Sequence, residues 1–233
     1  MDILITGASR GLGLEMAAEA AARGYRVWAG TRQAPAAGSG LAELSARHPG
    51  QVVPVLLDVA DEQSVLRTFR DISERTEGLD IIVNNAAILE GRGQSIEELD
   101  LGQVERSFRT NLFGPLLVMK HGTALLRRRR GGAVINISSE AGSMAGAYGG
   151  DYSYALSKAA LNMFTAQLRN LLEGDGLLVL AVHPGWIRTD MGGGQAPGDA
   201  AESAKGILDL AERKRVPEAG AWFVDHTGKP MPL

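Results

Sequence analysis

The sequence predicts an α/β fold: a doubly wound, seven-stranded parallel sheet with helices on both faces, built as a single domain over residues 1–233. Three observations lead there. Short apolar runs alternate with helical patterns along the whole chain. Most of those runs are β-branched and lack polar alternation, as strands buried on both faces should. The first run passes directly into a glycine-rich turn and then a helix, as in the first strand–turn–helix unit of nucleotide-binding sheets.

The first strand is expected at 3–6, followed by Thr6-Gly-Ala-Ser-Arg-Gly-Leu-Gly13 and a helix over 12–23. Gly7, Gly11 and Gly13 permit a tight turn and close approach of a pyrophosphate to the backbone. The helix start supplies amides and a positive dipole end. The spacing G-x-x-x-G-x-G is neither the common dinucleotide fingerprint nor a P-loop. Further strands are expected at 26–30, 52–57, 81–84, 133–137, 177–182 and 221–224. Helical patterns occupy 40–48, 61–76, 101–129, 152–172 and 200–213, with Asp61 as an N-cap. Glycine-rich loops at 91–94, 145–151 and 192–198 follow strands that point at one edge, where such sheets bind ligands.

A chain of 233 residues with formal charge −3 and no cysteine can bury a core without disulfides, and it has no thiolate metal ligands. The four histidines are scattered singly, so no metal site is expected. No apolar run approaches about 18 residues, so no membrane span is expected, and the cytoplasm is the expected location. The run Arg127–Arg130 ends a helix, which favours cations there, and no aromatic residues interleave with it; a nucleic-acid partner is not expected.

Chemistry is suggested by Tyr154 and Lys158, four residues apart on one helical face. An ammonium beside a phenol favours phenolate, lowering a pKa that starts at roughly 10, and such a tyrosine can exchange a proton near neutral pH. Tyr152 and Tyr148 are rivals, but neither has a lysine four residues on. For the nucleotide, an acid at the end of the second strand would bond ribose hydroxyls. Thr31 stands there instead, followed by Arg32, with Arg10 nearby in the glycine turn. Two guanidinium groups suit a 2′-phosphate, so NADP(H) is expected in preference to NAD(H).

Taken in order, Thr6–Gly13, Asn84-Asn-Ala86, Asn111, Ser139, Tyr154-x-x-x-Lys158 and Pro184-Gly185 resemble the short-chain dehydrogenases/reductases over nearly the whole chain. The longer loop before Tyr154 and the segment Pro184–Met191 resemble the branch of C-factor and the Sniffer-type carbonyl reductases. The resemblance implies a Rossmann fold and hydride transfer between NAD(P) and a small-molecule carbonyl or alcohol, most naturally carbonyl reduction. It implies Tyr154 as general acid/base and Lys158 as the group that lowers its pKa and bonds the nicotinamide ribose. It implies Ser139, rather than Ser138, as the group orienting the substrate oxygen, and Asn111 as the residue holding a relay water. Cofactor contacts are implied at Gly7, Ser9, Arg10, Gly11, Leu12, Gly13, Arg32, Asp58, Val59, Asn85, Ala86, Tyr154, Lys158, Pro184, Gly185, Trp186 and Thr189. A homodimer or homotetramer is implied, packed through the helices that carry Asn111 and Tyr154. The rival expectation is a nucleotide-binding signalling protein of C-factor type with little turnover.

Overall fold

Seven strands form one parallel sheet in the order β3-β2-β1-β4-β5-β6-β7. The computed structural model describes residues 1–233, apart from the side chain of Ala219. In chain order the elements are β1 (Asp2–Ile5), α1 (Gly11–Ala22), β2 (Arg26–Thr31), α2 (Gly40–Arg47), β3 (Val52–Leu56), α3 (Glu62–Ser73) and β4 (Ile81–Asn84). They continue with α4 (Leu101–Phe108), α5 (Gly114–Leu126), β5 (Ala133–Ile137), α6 (Tyr152–Leu172), β6 (Leu178–His183), α7 (Ala200–Ala211) and β7 (Phe223–Asp225).

Alternation along the strands sorts the core into two layers. Ile3 and Ile5 of β1, with Val27 and Ala29 of β2, face Met16, Ala17 and Ala20 of α1 and Ile207 and Leu208 of α7. Leu4 and Trp28, pointing the other way, meet Val65, Phe69 and Ile72 of α3, Val118 of α5 and Leu168 of α6. Both faces are apolar because both are covered, which explains the missing polar alternation.

The order reverses between β1 and β4: β1 pairs with β2 on one side and β4 on the other. Loops leaving the carboxyl ends of those strands run apart and open a cleft. Caps set the helix starts. Ser39, Asp61, Asp100 and Asp199 each accept backbone amides at the first turns of α2, α3, α4 and α7. By contrast α1 has no side-chain cap and no acid in its first turn.

One long helix was expected over 101–129, and here the fold departs from expectation. A π turn over Arg109–Phe113 separates α4 from α5. Pro115 supplies the reason. It has no amide hydrogen to give the carbonyl of Asn111, four residues back. The Gly114 amide reaches Arg109 O instead, five residues back, and the widened turn follows. No helix among the described residues is long and apolar enough to cross a membrane.

Candidate active site

A cleft of about 790 Å³ lies along the carboxyl edge of the sheet. Every residue expected to contact a nucleotide lines it, from Gly7 to Thr189, as do Ser139, Tyr154 and Lys158. Asn111 does not.

The nucleotide end is built by backbone. Gly7 and Gly11 have φ of +68° and +54°, the left-handed region that favours glycine. A Cβ on Gly13 would collide with Gly7 O, and one on Gly7 would come within 2.9 Å of Ala86 Cα. The turn is stapled to β4: Thr6 Oγ1 accepts the amides of Asn85 at 3.0 Å and Ala86 at 2.9 Å, and Asn85 Nδ2 donates to Thr6 O at 2.8 Å. The uncapped first turn of α1 therefore presents its amides to the cleft, and the residues present fit a pyrophosphate. At the end of β2, Thr31 is buried and donates to Gln33 O at 3.0 Å. Arg32 beside it is exposed and in no ion pair of the described residues. Arg10 is turned toward Asp190 at 2.7 Å. That pair is solvent-exposed and so contributes little stability, roughly 0–1 kcal/mol, leaving Arg10 exchangeable to a phosphate.

At the other end α6 delivers Tyr154 and Lys158 from one face. Lys158 is buried and donates to Ile137 O at 2.7 Å, with Nζ 5.5 Å from the centre of the Tyr154 ring. Ser139 caps the turn after β5, its hydroxyl accepting the Ala141 amide at 3.2 Å. Ser138, its rival, points inward and donates to Asn162 Oδ1 at 2.6 Å. Of the two serines, Ser139 alone stands beside the Tyr154 hydroxyl.

One expectation needs correction. Burial pushes Tyr154 up, to about 12, although the Ser139 hydrogen bond favours the phenolate. Burial likewise pulls Lys158 down to about 7. The lysine therefore does not depress the tyrosine in this structure. Both groups sit in low dielectric, where each resists charging, and Lys158 spends a proton on Ile137 O rather than on the phenol. Asn111 lies behind the cleft wall. The π turn directs its side chain inward, where Nδ2 donates to Ile88 O at 2.9 Å and Ser157 Oγ at 3.0 Å, and Oδ1 accepts the Ile88 amide at 2.9 Å. Both of its amide hydrogens are thereby spent within the fold.

Residues the sequence reading did not assign also line the cleft: Arg92, Asp151, Met231 and Pro232. Asp151, with φ +48°, is one of two non-glycine residues in the left-handed region. Its carboxylate accepts the Gly93 amide at 3.0 Å and the Tyr148 hydroxyl at 3.1 Å. The chain after β7 folds back so that Leu233 O accepts the Ala145 amide at 3.1 Å, which carries Met231 and Pro232 to the cleft wall. Only the glycines at 91 and 93 hinted at the first group; nothing local signals the last.

A family model for short chain dehydrogenases matches residues 2–199. The chain is a short-chain dehydrogenase. C-signal of Myxococcus xanthus is 35% identical to it over 161 residues, which span 67% of this chain and 94% of that relative. The structure of NADPH-bound carbonyl reductase from chicken fatty liver superposes with a TM-score of 0.88 at 32% identity, covering 100% of this chain and 98% of the other. The carbonyl reductase Sniffer of D. melanogaster superposes with a TM-score of 0.87 at 29% identity, covering 100% and 99%. This short-chain dehydrogenase is thus an oxidoreductase with carbonyl reductases among its structural relatives.

Proposed function

We propose that this protein reduces a carbonyl to an alcohol with NADPH. The observation that carries this reading is the meeting of Ser139, Tyr154 and Lys158 at one end of a cleft whose other end is an uncapped helix start with two arginines. Bound in that cleft, the dihydronicotinamide would supply the hydride. Ser139 and Tyr154 hold the carbonyl oxygen, and Tyr154, protonated at neutral pH, gives up its proton as charge develops there. Lys158 sits beneath Tyr154 to return the proton. Asn111 acts from behind: its side chain fixes Ser157, next to Lys158, and its backbone carbonyl, to which Pro115 has no amide to offer, is the atom to hold a relay water. Gly7–Gly13 cradle the pyrophosphate, Asp58 sits at the adenine end, and Arg32 with Arg10 takes the 2′-phosphate.

General acid catalysis contributes about 10²–10⁴-fold, so Tyr154→Phe lowers NADPH-dependent reduction across a panel of aldehydes, ketones and diketones by at least the lower figure. NADPH binding survives. Tyr152→Phe, outside the cleft, retains most activity; the reverse pattern overturns the assignment. NADPH binds more than about tenfold tighter than NADH through charge-assisted contacts, and Arg32→Asp narrows or reverses that ratio in fluorescence titrations. Equal affinities in the wild type would count against the arginine argument.

A dimer or tetramer is part of this reading. Phe113 and Leu116 on one side and Leu156 and Met163 on the other leave apolar surface exposed around α5 and α6. A two-fold axis between these helices buries it. The rival signalling reading draws on the likeness to C-signal; absence of turnover on any carbonyl, with tight nucleotide binding, would favour it.

A further inference from the structure

Arg92 is the one cation at the substrate end of the cleft that faces solvent. It lies in the loop after β4, and Nη2 reaches across to Met191 O at 3.2 Å in the segment after β6. It is in none of the ion pairs among the described residues. Two acids near it are paired with other cations. Glu90 pairs with Arg106 at 2.9 Å and Asp190 with Arg10 at 2.7 Å. Asp151 accepts from Gly93 and Tyr148, which fixes the loop carrying Arg92 against the start of α6. Glu140 also lines the cleft, and its backbone amide donates to His183 Nδ1 at 3.3 Å.

The position of Arg92 relative to the chemistry is also fixed. Burial is the main influence on the Tyr154 phenol, and the Arg92 charge acts on it in the opposite sense, so the guanidinium stands within electrostatic reach of the reacting oxygen. It comes from a different loop than Arg10 and Arg32, which stand at the glycine turn and the end of β2, and its partner Met191 follows Asp190, the residue that holds Arg10. The cleft that both line has an apolar part to its wall, formed by Ile88, Leu89, Trp186, Met191, Met231 and Pro232, alongside the polar Ser139, Tyr148 and Asp151. A cleft that combines apolar wall, a proton donor and a guanidinium outside the ion pairs suits an amphipathic anion.

We infer that Arg92 anchors the carboxylate of a carbonyl substrate with an apolar body, with Asp151 as the positioning residue for the Arg92 loop. This rests on the reading of the cleft as a carbonyl-reducing site. A planar guanidinium meets a carboxylate through two parallel N–H donors, and because Nη2 gives only one of its two hydrogens to Met191 O, a fork of Nη2 with Nη1 or Nε remains to engage it.

The test compares matched ligands. In kinetics with NADPH, 4-carboxybenzaldehyde is set against its neutral methyl ester. The carboxylate should show at least about tenfold higher kcat/KM, the scale of one charge-assisted contact. Arg92→Gln collapses that ratio toward one, Arg92→Lys retains part of it, and Arg70→Gln, on the exposed face of α3, leaves it unchanged. High salt narrows the wild-type ratio because Arg92 is exposed. Calorimetry gives a readout free of turnover: benzoate binds the NADP⁺-loaded protein about tenfold tighter than benzamide, and Arg92→Gln removes the difference. Equal binding of benzoate and benzamide, or a benzoate preference that survives Arg92→Gln, overturns the inference. A benzoate preference that depends on Arg92, without reduction of either aldehyde, supports the anion anchor and counts against carbonyl reduction instead.

Discussion

At the amino edge of the sheet, Arg23 sits among Glu19, Asp209 and Glu212 at 2.8, 2.8 and 2.9 Å, and the Tyr25 hydroxyl completes the group by donating to Glu212 at 2.6 Å. At the carboxyl edge, Lys158 is more deeply buried and has no carboxylate beside it, only a backbone carbonyl. The consequences are opposite. Burial works against charge on Arg23, but its partners outweigh it and hold the guanidinium protonated. Burial raises Glu212 as well, and hydrogen bonds from Lys214, Tyr25 and Arg23 more than reverse it. Nothing reverses burial at Lys158, which falls to about 7. The first edge is organised for stability, with α1 locked to α7. The second holds a group in unstable protonation, useful for passing protons and unfavourable for folding.

Three substitutions break or sharpen this contrast. Lys158→Met should abolish reduction, by a factor of about 10² or more, while raising stability by about 1–4 kcal/mol at pH 6–7, as when an unfavourable buried charge is replaced by an apolar side chain. The pH dependence has a definite sign. The folded protein sheds the Lys158 proton near pH 7, and the unfolded chain keeps it to about 10.5. Stability from this group is therefore complete above the higher value and is lost as pH falls through the lower. Thermal melts should show the Met variant's advantage shrinking by pH 10; an advantage constant with pH would argue that the amine is not being titrated.

Arg23→Gln is the mirror experiment. It leaves partly buried carboxylates without their cation and costs roughly 3 kcal/mol, or roughly 6–12 °C in Tm for a chain of this size. Reduction at 25 °C should be unaffected. A loss of turnover in folded protein would show the two edges to be coupled.

The smallest effect separates two helix starts at the carboxyl edge. Asp61 caps α3 through the amides of Gln63 and Ser64 at 3.0 and 3.2 Å. Asp61→Ala should cost about 1 kcal/mol in denaturant melts and leave nucleotide affinity intact, because α3 does not carry the phosphate cradle. Reduced NADPH affinity would mean that the capped helix also serves the nucleotide.

Much of this molecule was legible one residue at a time. The strand runs and helix periods follow from burial on both sheet faces, and each expected strand appears within two residues of its expected bounds. Gly7, Gly11 and Gly13 announced the turn because φ and close approach are local requirements that only glycine meets there. The pair Tyr154 and Lys158 was visible because helical spacing puts them on one face. Thr31 and Arg32 at the end of β2, the basis for expecting a 2′-phosphate there, were readable because charge at a strand end is a sequence property.

What the sequence could not fix were quantities that depend on neighbours distant in the chain. The Tyr154 phenol and Lys158 amine shift against expectation because burial, set by the packed cleft, outweighs the pairing that spacing suggests. Pro115 was plain in the sequence, yet its effect on Asn111 emerges only when Ile88 and Ser157 arrive to take the inward-turned amide. Arg92, Asp151 and Met231 reach the substrate end from three separate loops. Spacing reports on neighbours within a helix or strand, where geometry is fixed. Dielectric, ion pairing and cleft walls are properties of the assembled fold, and only the tertiary structure determines them.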